Sequence, residues 1–203
     1  MRIVCISDTH NEVMTEPIPD GDILIHAGDA TIRGKIREVA RFAQWFNSLP
    51  HKYKVFVPGN HDFLYERDRN IADTFVKSLQ DELIQIEGLK IYGSPWQPEF
   101  YNWAFNLPRG EPLREIWSKI PDDVDLLITH GPPFGILDAN LSGEHVGCED
   151  LLERVKKIKP KIHIFGHIHE GYGQTEIDGT TFINASICDQ DYVPGRKPIV
   201  INL

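Results

Sequence analysis

Five short apolar segments of the chain each end in residues that can bind a metal ion, and this feature constrains the fold most. Each segment is too short for a typical helix and is predicted to be a buried β-strand. The segments end at Asp8-x-His10, Gly28-Asp29, Gly59-Asn60-His61-Asp62, Thr129-His130-Gly131 and Gly166-His167-Ile168-His169. Ligands of α/β proteins gather at the carboxyl ends of strands, so we expect these ends to converge on one cleft.

The remaining secondary structure is predicted from apolar periodicity and turn residues. Strands are expected at 2–7, 22–26, 53–57, 125–129, 161–165 and 199–202, with hairpins across Glu87-Gly88 and Asp178-Gly179. Helices are expected at 35–49, 71–79, 113–120 and 149–158, and residues 95–105 form an irregular aromatic-rich stretch. The first half is βαβ-like and the end is richer in hairpins. The pattern predicts an α/β sandwich with mixed sheets and outer helices.

Length and charge limit the domain count and the partners. The chain has 203 residues, which fits a single domain over 1–203, since single cores usually hold to about 250 residues. The net charge is -9. Binding to duplex nucleic acid or to an anionic membrane surface needs a basic footprint, so neither partner is expected. An anionic substrate stays compatible with this charge if bound cations supply positive charge locally.

The cysteines and the N-terminus indicate the expected compartment. The cysteines are Cys5, Cys148 and Cys188, at long spacings and without a CxxC motif. This usage argues against a disulfide framework and against a thiolate zinc site. The apolar run at the N-terminus is too short for a signal peptide or a membrane span. We therefore expect a soluble, cytoplasmic protein.

The side chains at the strand ends suit a particular class of metal. Residues i and i+2 of an extended chain point the same way, so Asp8 with His10, and His167 with His169, are each expected to face a common centre. Carboxylate, amide and imidazole ligands favour Mn²⁺, Fe, Zn²⁺ or Mg²⁺. The candidate ligands are Asp8, His10, Asp29, Asn60, His130, His167 and His169. Such a set exceeds one tetrahedral site and suits two divalent ions about 3.5–4 Å apart.

In this order, the motifs resemble the signature blocks of the calcineurin-like metallophosphoesterase superfamily. The resemblance runs from residue 7 to residue 169 and implies a four-layer α-β-β-α sandwich with two mixed β-sheets. A narrower similarity, to the small metallophosphoesterase-domain-containing proteins first described from brain, rests on the second half of the chain. It is carried by the runs 129–138, Gly147-Cys148, 166–173 and Ile183-Asn184-Ala185-Ser186.

The resemblance also implies a role for each site residue. Asp8, His10, Asp29 and His169 would hold one metal ion. Asp29, Asn60, His130 and His167 would hold the other, with Asp29 as the bridge and manganese as the expected metal. His61 would face the substrate and protonate the leaving oxygen. Protein phosphatases of the superfamily have an aspartate where this chain has Ile32, so the partner that orients His61 stays open.

The resemblance implies hydrolysis of a small phosphodiester, such as a cyclic nucleotide, and hydroxide generated at the metal pair is the expected nucleophile. Arg33 matches a phosphate-contacting position of the protein phosphatases, and a solvated arginine before a helix would look the same. Base stacking is one role for the aromatic residues Trp96, Phe100, Tyr101, Trp103 and Phe105, and core packing is the other. His145, in a glycine-flanked loop, is expected to be exposed.

Three other functions are weighed against the phosphodiesterase. A phosphomonoesterase or nucleotidase would use the same residues. A non-catalytic interaction module is the second alternative, although His61 and every candidate ligand are present in this chain. A nuclease for long nucleic acids is disfavoured by the acidic charge.

Overall fold

The computed structural model of the protein describes residues 1–12 and 14–203. The strands are β1 (Arg2–Ile6), β2 (Ile23–His26), β3 (Tyr53–Phe56), β4 (Glu82–Ile86), β5 (Leu89–Ser94), β6 (Gln97–Pro98), β7 (Asn106–Leu107), β8 (Leu126–Thr129), β9 (Ile162–Phe165), β10 (Gly173–Ile177), β11 (Thr180–Asn184) and β12 (Ile199–Asn202). The helices are α1 (Ile36–Ser48), α2 (Phe63–Arg67), α3 (Arg69–Ala72), α4 (Glu111–Ser118) and α5 (Glu149–Ile158). A 3₁₀ turn spans His169–Gly171.

The strands form two mixed sheets, as the sequence predicts. In the first sheet the order is β12-β1-β2-β3, with β1, β2 and β3 parallel and β12 antiparallel. In the second sheet the order is β10-β11-β9-β8-β5-β4, with a parallel centre and antiparallel strands at both edges. The short strands β6 and β7 pair separately.

Apolar side chains hold these sheets and helices together in layers. Ile25 of β2 and Ile128 of β8 belong to the buried cluster between the two sheets. On the outer face of the first sheet, Leu24 packs in a cluster with Phe42 of α1. On the outer face of the second sheet, the cluster includes Leu151 of α5. Burying each such side chain contributes about 1.5–3 kcal/mol, so the expected α-β-β-α order is the arrangement that covers both sheet faces.

The helix predicted over 71–79 is wrong in its bounds. α3 ends at Ala72, and the chain then turns because the Asp73 carboxylate accepts hydrogen bonds from the backbone N–H and the hydroxyl of Ser78 (2.9 and 2.8 Å). Val76 and Leu79 are buried without a helix between them. α2 was not predicted. Of the helices in the described residues, none has both the length and the apolar character to cross a lipid bilayer.

The sheet directions place the predicted motifs at one edge of the molecule. β1, β2 and β3 are parallel in the first sheet, and β8 and β9 are parallel in the second. The carboxyl end of each strand leads directly into one of the metal-capable motifs. The convergence expected from the sequence is therefore a consequence of parallel pairing, since parallel strands end at the same side of a sheet.

Candidate metal centre

The carboxylates of Asp8 and Asp29 lie at the bottom of the cleft formed by these strand ends. Both residues are buried, with exposed fractions of 0% and 2%. Their backbones are left-handed, with φ of 54° at Asp8 and 55° at Asp29. A left-handed residue other than glycine costs on the order of 1–2 kcal/mol, and such strain concentrates at functional sites. The turns take Asp8 and Asp29 out of the extended path of their strands.

One cluster consists of Asp8, His10 and His169, whose ligand atoms all lie within 4.8 Å of one another. Asp8 Oδ1 is 3.4 Å from His169 Nε2, and the Nε2 atoms of His10 and His169 are 3.4 Å apart. The hydroxyl of Ser186 donates to Asp8 Oδ2 at 2.8 Å, and the backbone N–H of His167 donates to the same oxygen at 3.0 Å. These hydrogen bonds fix the orientation of the carboxylate.

A second cluster consists of Asp29, His130 and His167. Asp29 Oδ1 is 3.4 Å from His130 Nε2, and Asn60 Oδ1 is 2.9 Å from the same nitrogen. The imidazole rings of His130 and His167 are 5.0 Å apart between centroids. The amide oxygen of Asn60 therefore completes a second set of convergent oxygen and nitrogen atoms.

Asp29 lies between the two clusters. Its Oδ1 faces His130, while its Oδ2 lies 4.0 Å from His10 Nε2 and 3.8 Å from His61 Nε2. The backbone N–H of His61 donates to Oδ1 at 2.8 Å and holds the carboxylate in this orientation. Each oxygen thus faces a different cluster, which is the geometry that a carboxylate bridging two cations needs.

The hydrogen bonds behind the imidazoles show that these clusters fit cations. Nδ1 of His10, His130 and His169 lies 3.3, 2.9 and 2.7 Å from backbone carbonyl oxygens. Since a carbonyl only accepts, each Nδ1 carries a hydrogen, and in the neutral ring each Nε2 presents a lone pair to the cleft. Lone pairs of His10 and His169 at 3.4 Å repel unless a cation or a proton lies between them. The buried oxygen and imidazole donors suit divalent ions.

The pKa values of the clustered side chains also favour the binding of cations. Burial would lower the pKa of His130, but the Asp29 carboxylate outweighs it and raises the pKa to about 9. Likewise, Asp8 raises the pKa of His169 to about 8 against the effect of burial. Although burial favours the neutral acids, these imidazoles hold the pKa values of both carboxyls below the usual range. Burial lowers the pKa of His167 to about 3. The carboxylates are therefore charged at neutral pH and attract cations.

Glycines allow the strand ends to approach the carboxylates closely. A Cβ at Gly59 would lie 2.3 Å from Asp29 Oδ1, and a Cβ at Gly166 would lie 2.1 Å from Asp8 Oδ2. Neither distance is sterically possible, so any side chain at these positions would displace a carboxylate.

Beside these two clusters, His61 forms a further group with His10 and Asp29, whose ligand atoms also lie within 4.8 Å of one another. The backbone orients the His61 imidazole. Its Nδ1 lies 2.8 Å from the carbonyl oxygen of Ile32, so Nδ1 carries a hydrogen, while Nε2 is the nitrogen that lies near Asp29. The carbonyl of Ile32 is therefore the partner that orients His61, which the sequence alone did not identify. It belongs to the residue that stands where the protein phosphatases have their aspartate.

The carboxylate of Asp62, the residue after His61, connects two loops of the site. Asp62 is fully buried and accepts hydrogen bonds from the backbone N–H groups of Ala30, Thr31 and Gly59 at 3.2, 2.9 and 2.8 Å. The hydroxyl of Thr31 donates to it at 2.8 Å. Asp62 thus ties the loop after β2, which carries Asp29, to the loop after β3, which carries Asn60 and His61.

The expectation based on extended-chain alternation is confirmed for Asp8 with His10 and wrong for His167 with His169. Asp8 and His10 do share a cluster, but left-handed turns place them there, with φ of 54° and 46°. His167 and His169 do not face a common centre: His167 joins Asp29, whereas His169 joins Asp8. The chain leaves the strand before each pair begins, so the two-residue period of a strand no longer applies.

The aromatic-rich segment 95–105 divides between the cleft and the interior. Phe100 and Trp103 line a cleft of about 360 Å³ that also contains Asp29, Asn60, His61, His167 and His169. The Trp103 ring stacks on His61, with centroids 4.2 Å apart and planes at 28°. Trp96 and Phe105 contact each other in the interior, and Tyr101 is 81% exposed. Two aromatic residues of this segment therefore lie at the site: Trp103, which contacts His61, and Phe100, which lines the cleft.

Two of the less specific sequence candidates lie at the margin. Arg33 is exposed and places its guanidinium 4.6 Å from the centre of the Trp103 ring, outside the lining of the cleft. The side chain of His145 is half-exposed, as expected, and its Nδ1 lies 2.6 Å from the buried carboxylate of Asp138. The loop of His145 reaches the cleft through Val146 and Gly147.

Other residues of the cleft were not identified from the sequence. Tyr192, Arg109, Glu99 and Glu170 all line it. Glu170 lies in the run 166–173 that carries the family resemblance, directly after His169. The other three lie in no recognisable motif and at no predicted strand end. Ser186 lies in the run 183–186 that carries the family resemblance, but its hydrogen bond to Asp8 was not foreseen.

Comparisons with known proteins agree with this geometry. The family model described as calcineurin-like phosphoesterase matches residues 1–171. Metallophosphoesterase domain-containing protein 1 of Homo sapiens is 43% identical over 230 residues, covering 100% of this chain and 71% of its own. A UPF0046 protein of Caenorhabditis elegans is 40% identical and covers 98% of this chain and 74% of its own. Among solved structures, phosphopantetheinyl hydrolase from Mycobacterium tuberculosis has the same fold, with a TM-score of 0.64, 17% identity and coverage of 94% and 90%.

Proposed function

Since the chain belongs to the calcineurin-like phosphoesterase family, we propose that it is a phosphodiesterase acting on small diesters such as cyclic nucleotides. Membership of the family makes the chain a metal-dependent phosphoester hydrolase with a binuclear divalent metal centre. The preference for diesters, the identity of the metal and the roles of individual residues belong to the proposal.

The proposed ligands follow the two clusters. Asp8, His10, Asp29 and His169 would hold one ion, and Asp29, Asn60, His130 and His167 would hold the other. Manganese is the proposed metal because it accepts mixed oxygen and imidazole ligands. When bound, the two ions supply Lewis acidity toward the phosphoryl group and lower the pKa of the attacking water. Asp29 would keep the two ions adjacent through its two oxygens.

His61 would act as the general acid. Its Nδ1–H donates to the carbonyl of Ile32, which fixes the ring and leaves Nε2 to carry the transferable proton. The stacked ring of Trp103 limits the rotation of the imidazole. Proton transfer from Nε2 to the leaving oxygen avoids the release of a free alkoxide and contributes about 10²- to 10⁴-fold in rate. The leaving group would then depart past Trp103.

The charge of the cleft is the observation that carries the preference for diesters. Arg109 lines the cleft, but its guanidinium donates to the carbonyls of Val146 and Gly147 and pairs with Glu149. Glu99 and Glu170 also line the cleft and are exposed. Since the cation is already paired and two carboxylates are near, a diester monoanion fits this surface better than a monoester dianion.

The test is a comparison of matched esters on protein reconstituted with Mn²⁺. Bis-p-nitrophenyl phosphate and p-nitrophenyl phosphate share one leaving group and differ in charge, and 2′,3′- and 3′,5′-cyclic AMP test the cyclic nucleotides. We expect kcat/KM to favour the diester by about fivefold, because an extra charge near carboxylates costs on the order of 1 kcal/mol. A monoester preference would indicate a phosphomonoesterase, and two bound metals without hydrolysis of any ester would indicate a non-catalytic module.

Two expectations from the sequence stay predictions. One is that residues 1–203 form a single domain. The other is that the protein is cytoplasmic. Limited proteolysis, with a single resistant fragment of nearly full length as the expected product, tests the first.

A further inference from the structure

Tyr192 lies over the metal centre, although it is distant in sequence from the motifs that predict this centre. Its ring centroid is 4.7 Å from that of His10, 5.3 Å from that of His169 and 6.0 Å from that of His61. The ring is nearly perpendicular to the imidazoles of His10 and His169, at 71° and 76°. Tyr192 lines the cleft and is 47% exposed, so part of its ring contacts the imidazoles and part is accessible to a ligand.

The turn that carries Tyr192 holds the ring in this position. The backbone N–H of Tyr192 donates to the carbonyl of Asp189 at 3.0 Å, and φ at Tyr192 is 61°. The carboxylate of Asp189 accepts hydrogen bonds from the backbone N–H groups of Asp191 and Val193, each at 2.9 Å. This network keeps a bulky residue in the left-handed region, which is costly without such support.

The same turn is attached directly to the metal centre. The carbonyl of Asp189 accepts the Nδ1 hydrogen of His169 at 2.7 Å. The guanidinium of Arg196 donates to the carbonyl of Cys188 at 2.9 Å and also to the carbonyl of His169. The position of Tyr192 is therefore set relative to His169 rather than by a free loop.

Tyr192 lies close to His61, and therefore close to the expected position of the leaving group. Under the proposed function, His61 protonates the leaving oxygen, so the first atoms of the leaving group lie within hydrogen-bond reach of its Nε2. The rings of Trp103 and Tyr192 lie 4.2 and 6.0 Å from the imidazole of His61. Trp103 already stacks on His61, whereas Tyr192 lines the cleft and is nearly half exposed as a residue, which leaves it accessible to a ligand.

We propose that Tyr192 is a specificity-determining residue whose ring contacts the leaving group and favours esters with a flat aromatic leaving group. This inference rests on the proposed function and deepens it. The contact is made by the ring rather than by the hydroxyl, because it is the ring that lies against the imidazoles. Contacts between aromatic rings are worth roughly two- to tenfold in binding, so the selectivity is of that order.

The test compares Tyr192→Ala and Tyr192→Phe with wild type on two diesters. Bis-p-nitrophenyl phosphate has an aromatic leaving group, whereas glycerophosphoethanolamine has none. For Tyr192→Ala we expect kcat/KM to fall about tenfold on the aromatic ester and less than about twofold on the other. Tyr192→Phe keeps the ring and is expected to match wild type on both. Tyr53→Phe, on the outer strand β3, is the matched control.

Manganese content, measured for every variant, separates contact with the substrate from support of the metal centre. Retention of two ions with a loss selective for the aromatic ester supports the proposal. An equal loss on both esters, or a loss of metal, would mean that Tyr192 positions His10 and His169 instead, and would overturn it. A loss in Tyr192→Phe equal to that in Tyr192→Ala would assign the effect to the hydroxyl and also overturn it. Wild-type protein that binds two ions and cleaves no diester would refute the proposed function itself.

Discussion

The floor and the rim of the cleft are built in different ways. On the floor, Asp8 and His130 are fully buried, and their polar atoms are held by hydrogen bonds from neighbouring loops. On the rim, Glu99, Phe100 and Glu170 are exposed and lie on connecting segments rather than at the ends of the main strands. The floor thus has one arrangement fixed by the interior, whereas side chains of the rim can change without disturbing the fold.

This difference separates chemistry from selectivity. A buried carboxylate or imidazole is stable only with its partners present, so a change on the floor disturbs several residues together. A change on the rim alters contacts with a substrate and leaves the metal centre intact. We therefore expect substitutions on the floor to change metal content and turnover, and substitutions on the rim to change the relative rates of different substrates.

The largest effect is expected for Asp29→Ala. Each contact that stabilises the developing charge raises kcat on the order of 10²- to 10³-fold. Because the proposed bridge supports at least two such contacts, kcat should fall about 10⁴-fold or more. Metal analysis of the purified variant should show less than one tightly bound ion per chain. A variant that retains two ions would contradict the bridging role.

His61→Ala should lower kcat by about 10²- to 10⁴-fold because the leaving oxygen loses its proton donor. Both metal ions should remain, since the imidazole lies beside the clusters and Asp29 keeps its other partners. Steady-state kinetics and metal analysis on one preparation measure the fall in kcat and the retention of both ions. If metal is lost together with activity, His61 is a ligand rather than a general acid.

Asp62→Asn tests the connection between the two loops of the floor. One carboxylate oxygen accepts from Ala30 and Gly59, and the amide NH₂ that replaces an oxygen would face N–H donors. We expect a loss of about 1–3 kcal/mol in the free energy of unfolding and about 10- to 100-fold in metal affinity. Calorimetry and metal titration measure these changes.

Asp68→Asn is the matched control, because Asp68 caps only the short helix α3 through the backbone N–H of Ile71. It is expected to change stability by about 1 kcal/mol or less and to leave metal affinity unchanged. Equal losses of metal affinity in the two variants would contradict the role assigned to Asp62.

Protons should compete with the metal ions on the floor. The pKa values of His130 and His169 are raised to about 9 and about 8 in the metal-free protein, so both imidazoles carry protons at pH 7 that bound ions would displace. Calorimetric titration in buffers of different ionisation enthalpy should reveal release of about two protons per chain at pH 7. Affinity at each site should fall about tenfold per pH unit below pH 8, and a pH-independent affinity would contradict this.

The free energy of unfolding of the metal-free protein should depend on the protonation of His130 and His169. Because their folded pKa values lie above the unfolded value, their contribution is complete below about pH 6.5. It is lost as the pH rises through about 8 and 9. Chemical denaturation of metal-free protein between pH 6 and pH 10 measures this loss.

The smallest effect is expected on the rim. Neutralising Glu99 and Glu170 together, by substitution with glutamine, removes two carboxylates that face the substrate. Exposed charges are worth about 0.2–1 kcal/mol each, so removing two should raise kcat/KM for p-nitrophenyl phosphate about two- to thirtyfold relative to the diester. Metal content should not change. An unchanged ratio of the two rates would remove the electrostatic argument for diesters.

Much of the floor could be predicted from the sequence. Apolar runs that end in Asp8, Asp29 and His130 indicated where parallel strands stop, and parallel pairing does bring those ends together. The local path of the chain could not be predicted, because left-handed turns at Asp8 and His167 replace the extended backbone assumed from the spacing. Those turns depend on hydrogen bonds from distant segments and leave no periodic signal.

The rim was largely beyond prediction from the sequence. Tyr192 reaches the metal centre only through the turn at Asp189 and the hydrogen bond from His169, and neither has a sequence pattern. Trp103 belongs to an aromatic group for which the sequence favours core packing over base stacking, and Trp96 and Phe105 of that group do pack in the interior, whereas Trp103 stacks on His61. The carbonyl of Ile32 that orients His61 is a backbone group, so the side chains gave no indication of it.

The central claim is that two cations share the carboxylate of Asp29. Crystals grown with Mn²⁺ and measured at the manganese absorption edge test it directly. We expect two anomalous peaks about 3.5–4 Å apart, one on each side of Asp29, with His169 at one and His130 at the other. A single peak, or peaks that do not contact Asp29, would show that Asp29 does not bridge two cations.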